Sequence, residues 1–129
     1  MKQSNISFNE LVSKLDDFDK ARDWIGLDPA DLAKSIALEA SELLEFYQWD
    51  NSLTAKGKKI PKKDKEEIGF EVADILIYLL KFCRETKIDI VGATFKKLEH
   101  NNKKYPANYK DKGGHEEYER IKKSYRNKK

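Results

Sequence analysis

From Ile68 to Phe82 the chain is apolar around most of a helix's circumference, which leaves one narrow stripe for polar side chains. Ile68, Val72, Ile75, Leu76, Ile77, Leu79, Leu80 and Phe82 take the apolar positions, while Glu67, Glu71, Asp74, Tyr78 and Lys81 recur at spacings of four and three. A helix this apolar has to be covered on nearly every side. Its acidic stripe therefore borders a cleft lined by protein, not open water.

A second acidic pair, Glu39-Ala40-Ser41-Glu42, precedes Glu71-Val72-Ala73-Asp74 with 28 residues between them. A wheel at about 100° per residue, with Leu32 at 0°, puts Glu39 near −20°, inside the stripe of Leu32, Ile36, Leu43 and Phe46. Glu42 falls on the edge of that stripe and Glu45 well outside it, so Glu45 is expected to be ordinary surface. A carboxylate among core residues is unfavourable unless its charge is compensated, and a divalent cation compensates it. Each pair, at a spacing of three, lies on one side of its helix. The four carboxylates Glu39, Glu42, Glu71 and Asp74 are thus candidate metal ligands.

Oxygen-only ligands suit a hard cation, Mg²⁺ or Mn²⁺. The histidines, His100 and His115, do not stand three residues after a glutamate, so a di-iron centre of Glu-x-x-His type is not expected. Zinc is disfavoured by the same shortage of His and Cys. Magnesium on carboxylates points to a phosphorylated substrate. Lys97, Asn101 and Lys104, at spacings of four and three, are candidate phosphate contacts, although lysines on an exposed helical face are ordinary. Trp24, Phe46, Tyr47, Trp49 and Tyr78 are candidates for a wall on which a base stacks, Trp49 more so than Phe46 because it falls beside Glu42 on the wheel.

Composition narrows the setting. With 129 residues the chain is sized for one domain, and 38% charged residues with a mean hydropathy of −0.82 argue against a membrane span. The longest apolar run, Ile75 to Leu80, is six residues, where a bilayer needs roughly 20. No signal peptide is expected behind Met1, and a cytoplasmic location is. The single cysteine, Cys83, sits in an apolar stretch and reads as a buried structural thiol.

The net charge of +3 is unevenly spread. Lys103 to Lys129 holds ten Lys/Arg against four Asp/Glu, which leaves about −3 on the rest. That tail reads as a solvated, partly disordered basic segment.

Local signals give an all-α, four-helix-bundle-like core completed by oligomerisation, with the basic tail behind it. Residues 1–106 form the domain and 107–129 the tail. Ser7-Phe8-Asn9-Glu10 has capping-box form and starts a helix expected to reach about Trp24, with Gly26 as breaker. Asp28-Pro29 opens a second helix to about Asp50. Asn51 to Lys65, with Gly57, Pro61 and six lysines, is a basic connecting loop. A third helix spans about Lys65 to Thr86, and Asp89 caps a fourth that ends before Pro106. Glu116 to Arg126 is either a frayed helix or unordered.

Residues Ala37 to Trp49 resemble the first metal-binding helix of the MazG-type all-α nucleoside triphosphate pyrophosphohydrolases. Glu71 to Leu80 resembles the second, and the pairs complete an E-x-x-E, spacer, E-x-x-D signature. Asn101-Asn102-Lys103-Lys104-Tyr105-Pro106 is similar to that family's third element, and Ala21-Arg22-Asp23-Trp24 is similar to its dCTP pyrophosphatase branch. The resemblance spans roughly residues 8 to 106. It implies an obligate homo-dimer or homo-tetramer that hydrolyses nucleoside triphosphates between the α and β phosphates. It further implies Mg²⁺ held by Glu39, Glu42, Glu71 and Asp74, with Glu39 or Glu42 activating water. Lys97, Asn101 and Lys104 would then contact phosphate, with Tyr78 nearby and Trp24 and Trp49 near the base. No nucleic-acid partner is expected on this reading. The competing reading is a non-catalytic helical nucleotide- or RNA-binding module that uses the basic loop and tail.

Overall fold

A computed structural model describes residues 4–48, 62–108, 111 and 113–128. The described residues form five α-helices and no strand: α1 (Phe8–Lys20), α2 (Pro29–Glu45), α3 (Lys62–Thr86), α4 (Ile90–Lys104) and α5 (His115–Arg126). No helix among them is long and apolar enough to cross a membrane. The chain divides into two compact units, residues 1–88 and 89–129.

In the first unit the capping box is made in full. Ser7 Oγ accepts from the Glu10 N–H at 3.2 Å, and Glu10 Oε2 accepts from the Ser7 N–H at 2.7 Å. The first helix ends at Lys20, four residues short of the expected Trp24. The reason is local: Asp23 takes a left-handed conformation (φ 56°) and the Trp24 N–H turns back to the Asp19 carbonyl at 2.9 Å. This is the hydrogen-bond pattern of a Schellman stop, with Asp23 where glycine is usual. Lys87 (φ 60°) ends α3 in the same way, with the Ile88 N–H bonded to the Cys83 carbonyl at 3.0 Å.

Asp28 caps α2 through a 2.8 Å bond from the Ala30 N–H, with Pro29 at the first helical position as expected. Helix α2 ends at Glu45, before the expected Asp50, and α3 begins at Lys62, inside the segment expected to be loop. Residues 49–61, which hold most of that basic loop, lie outside the described residues. Helix α2 packs along α3. The two run antiparallel: Gly26, before α2, meets Glu85 near the end of α3, whereas Glu39 and Glu42 meet Glu71 in its first half.

Leu32, Ile68, Leu80 and Cys83 form the buried apolar centre of this unit, with Leu32 only 2% exposed. Burial pushes the Cys83 thiol up, which fits the expected inert thiol. Such a core is small. Phe70, Val72, Leu76 and Leu79 on α3, and Leu38 and Leu44 on α2, stay exposed in the single chain.

Helix α1 is tied to α3 by charge. Arg84 Nη1 donates to Asp16 Oδ1 at 3.0 Å and to Asp19 Oδ2 at 2.9 Å, while Nη2 donates to the Trp24 carbonyl at 3.3 Å. Asp19 is wholly buried and also pairs with Lys81 at 3.2 Å. Removing Asp19 would leave the buried Lys81 without its carboxylate, a loss of about 3–5 kcal/mol.

In the second unit Asp89 caps α4, accepting from the Gly92 N–H at 3.1 Å. A Cβ at position 92 would run into the Asp89 carboxylate, so a glycine there keeps the cap intact. The tail is not featureless. Its residues His115–Arg126 form helix α5, and Ile121 is buried. Tyr118 stacks on Tyr105 with ring centroids 5.0 Å apart, and Tyr125 meets His100 edge-on at 5.7 Å. Of the two alternatives expected for Glu116 to Arg126, a frayed helix or no order, the structure has the helix, begun one residue earlier.

Candidate active site

Residues 39 and 42 lie one helical turn apart on α2, so both carboxylates face one way, and α3 presents Glu71 to them. One carboxylate oxygen from each of Glu39, Glu42 and Glu71 lies within 4.8 Å of the others. Glu39 and Glu71 are half-buried and Glu42 exposed, in keeping with the wheel's inside and edge positions. Asp74 falls outside this three-oxygen cluster, but its charge reaches both Glu39 and Glu71.

Electrostatics record the crowding. Burial, and then Glu42, Asp74 and Glu71, push the Glu39 carboxyl above the ordinary carboxylate range. Burial again comes first for Glu71, followed by Glu42, Asp74 and Glu45. Glu45 is exposed, as the wheel expects, and its charge adds the least of these to Glu71. Glu39 Oε2 and Glu71 Oε2 are buried and accept no hydrogen bond. Orphaned carboxylate oxygens on an oxygen-only cluster fit a hard divalent cation, which would satisfy them and relieve the like-charge repulsion.

The same face of α3 continues from the carboxylates to Tyr78, which is half-buried. Trp24, on the turn after α1, is held through its main chain by Asp19 and Arg84. Its ring meets Phe18 edge-on at 6.0 Å, and the Arg22 guanidinium lies 3.6 Å from the centre of the Phe18 ring. Trp49 lies outside the described residues. In the second unit Lys97, Asn101 and Lys104 share a face of α4. Lys104 Nζ lies 5.1 Å from the centre of the Tyr105 ring and 4.8 Å from that of Tyr125. The tail thus contributes an aromatic neighbour to a candidate phosphate ligand, a contact the sequence reading did not anticipate.

Fold and site together define an all-α protein that gathers oxygen ligands between two antiparallel helices. The chain belongs to the MazG-like family, whose model matches residues 34–121. It is 28% identical over 92 residues to dCTP pyrophosphatase 1 of Mus musculus and 27% identical to that of Homo sapiens. Those matches cover 70% of this chain and 54% of each relative, so the chain spans about half the length of the curated relatives it matches. The crystal structure of a pyrophosphatase from Archaeoglobus fulgidus is similar with a TM-score of 0.70 at 36% identity, over 82% of this chain and 98% of that one.

Proposed function

We propose that the chain is a nucleoside triphosphate pyrophosphohydrolase, converting (deoxy)nucleoside triphosphates, dCTP among them, to the monophosphate and pyrophosphate. The observation that carries this reading is the meeting of Glu39, Glu42 and Glu71 across α2 and α3, with two buried oxygens left without donors. Membership of the MazG-like family and the likeness to pyrophosphatases support it.

On this reading Glu39, Glu42, Glu71 and Asp74 hold Mg²⁺ or Mn²⁺, which when bound offsets phosphate charge. Glu39 or Glu42 orients the attacking water and takes its proton. The hydroxyl joins one phosphorus as the bond between the α and β phosphates breaks, and pyrophosphate leaves. Lys97, Asn101 and Lys104 contact phosphate, while Trp24, Trp49 and Tyr78 flank the base. The exposed Leu38, Leu44, Phe70, Val72 and Leu76 support a homo-dimer or homo-tetramer. The proposed setting is cytoplasmic clearance of unwanted nucleotides.

A panel of ribo- and deoxyribonucleoside triphosphates with Mg²⁺, read out as pyrophosphate and monophosphate, tests the proposal. Turnover that needs the metal and fails in Glu71→Gln is expected. Release of no pyrophosphate from any member of the panel would overturn it.

A further inference from the structure

Lys81 follows Glu71, Asp74 and Tyr78 along the polar stripe of α3. Its side chain is 7% exposed, with Nζ 3.2 Å from Oδ1 of the fully buried Asp19. The same Nζ lies 5.3 Å from the centre of the Trp24 ring and 5.3 Å from that of Tyr78. Two candidate base-stacking rings from different segments therefore share one buried cation.

That cation is under-satisfied. An ammonium carries three donors and no acceptor. Asp19 is its one ion-pair partner among the described residues, and even there Oδ1 receives no hydrogen bond. Asp19 does not depend on it, because Arg84 already donates to Oδ2 at 2.9 Å. A largely buried lysine with donors to spare is placed to take the acceptors of a ligand. Position points the same way. By helix rise Lys81 stands about 10 Å from Asp74 and about 15 Å from Glu71 along α3, the order of separation between the phosphates and the base of an extended nucleotide.

We propose that Lys81 is a specificity-determining residue for the nucleobase: held by Asp19 beside the Trp24 and Tyr78 rings, its ammonium donates to an acceptor oxygen or ring nitrogen on the edge of the base stacked there. The inference rests on the reading of this site as one for nucleoside triphosphates. A donor-only head rewards an acceptor edge and gives nothing to an exocyclic amine.

The test compares wild type, Lys81→Met and Lys81→Gln on a nucleoside triphosphate panel and on 2-deoxyribose 5-triphosphate, which has no base. Lys81→Met is expected to raise KM for the preferred nucleotide about 10-fold or more while kcat moves much less, the mark of lost binding rather than lost chemistry. The loss should be larger for nucleotides than for the base-free compound, and the order of base preference should flatten. Lys81→Gln is shorter and uncharged, and should raise KM for nucleotides several-fold while sparing the base-free compound, so its KM decides the matter if Lys81→Met does not fold. Unchanged KM and base preference in the folded variants would overturn the inference, as would an equal loss on the base-free compound. A wild-type protein that turns over no nucleotide would instead overturn the proposed function.

Discussion

The main-chain N–H of Trp24 donates to the carbonyl of Asp19 at 2.9 Å, so the aromatic side chain is aimed by the way α1 stops. That stop needs a left-handed residue at Asp23, a conformation that disfavours side chains branched at Cβ. Asp23→Val should lower stability by about 1–2 kcal/mol, whereas Asp23→Gly should leave it equal or slightly higher. Thermal melts of both variants check this. A valine variant as stable as the glycine one would contradict the assigned turn.

Carboxylates that repel one another until a cation arrives make stability depend on metal. Mg²⁺ should raise the melting temperature of the wild type in a concentration-dependent way, by binding the native state alone. The rise should shrink or vanish in Glu71→Gln. Substituting Glu39, Glu42 or Glu71 by Gln should cost at least about 10²-fold in turnover, the scale of removing one key electrostatic group. Scanning calorimetry with and without Mg²⁺, and with chelator, reads the first effect.

Glu85 should contribute to acid sensitivity. The hydrogen bond from Arg84 holds its carboxyl below the ordinary carboxylate range, with burial opposing and the Gly26 N–H and the charges of Arg84 and Lys87 assisting. A carboxyl lowered on folding stabilises the native state fully above its unfolded value, and that contribution disappears as pH falls through the lowered folded value. The stability gap between wild type and Glu85→Gln should therefore narrow on acidification through that window. Urea titrations across a pH series test this, and a gap that widens as pH falls would refute the assignment.

Ile121 distinguishes a packed tail from a loose one. It is buried on α5, and Ile121→Ala should cost about 2–5 kcal/mol in the stability of the second unit. A change within about 0.5 kcal/mol, usual for surface positions, would mean that α5 is not packed. Hydrogen exchange along α4 and α5 locates the effect.

Periodicity and local chemistry made much of this protein legible from sequence. The acidic pairs were visible because a carboxylate inside an apolar stripe breaks the helical pattern. The caps at Ser7, Asp28 and Asp89 were visible because capping bonds form between residues close in the chain. Helix ends were unevenly legible: α3 ends at Thr86 as expected, whereas α1 stops at Lys20 because Asp23 takes a left-handed conformation that composition does not advertise. For α5 the sequence left a frayed helix and no order both open, since a charge count cannot see that Ile121 is buried.

The sequence by itself determined the all-helical architecture and which carboxylates share a face, because both follow from spacing along one chain segment. Tertiary structure alone decided that Glu39, Glu42 and Glu71 bring oxygens within 4.8 Å of one another, and that Asp19 holds Lys81 beside Trp24 and Tyr78. Those meetings join residues up to 62 positions apart, as Lys81 and Asp19 are, and only the packing of α2 against α3 and the ion pairs that tie α1 to α3 set their distances.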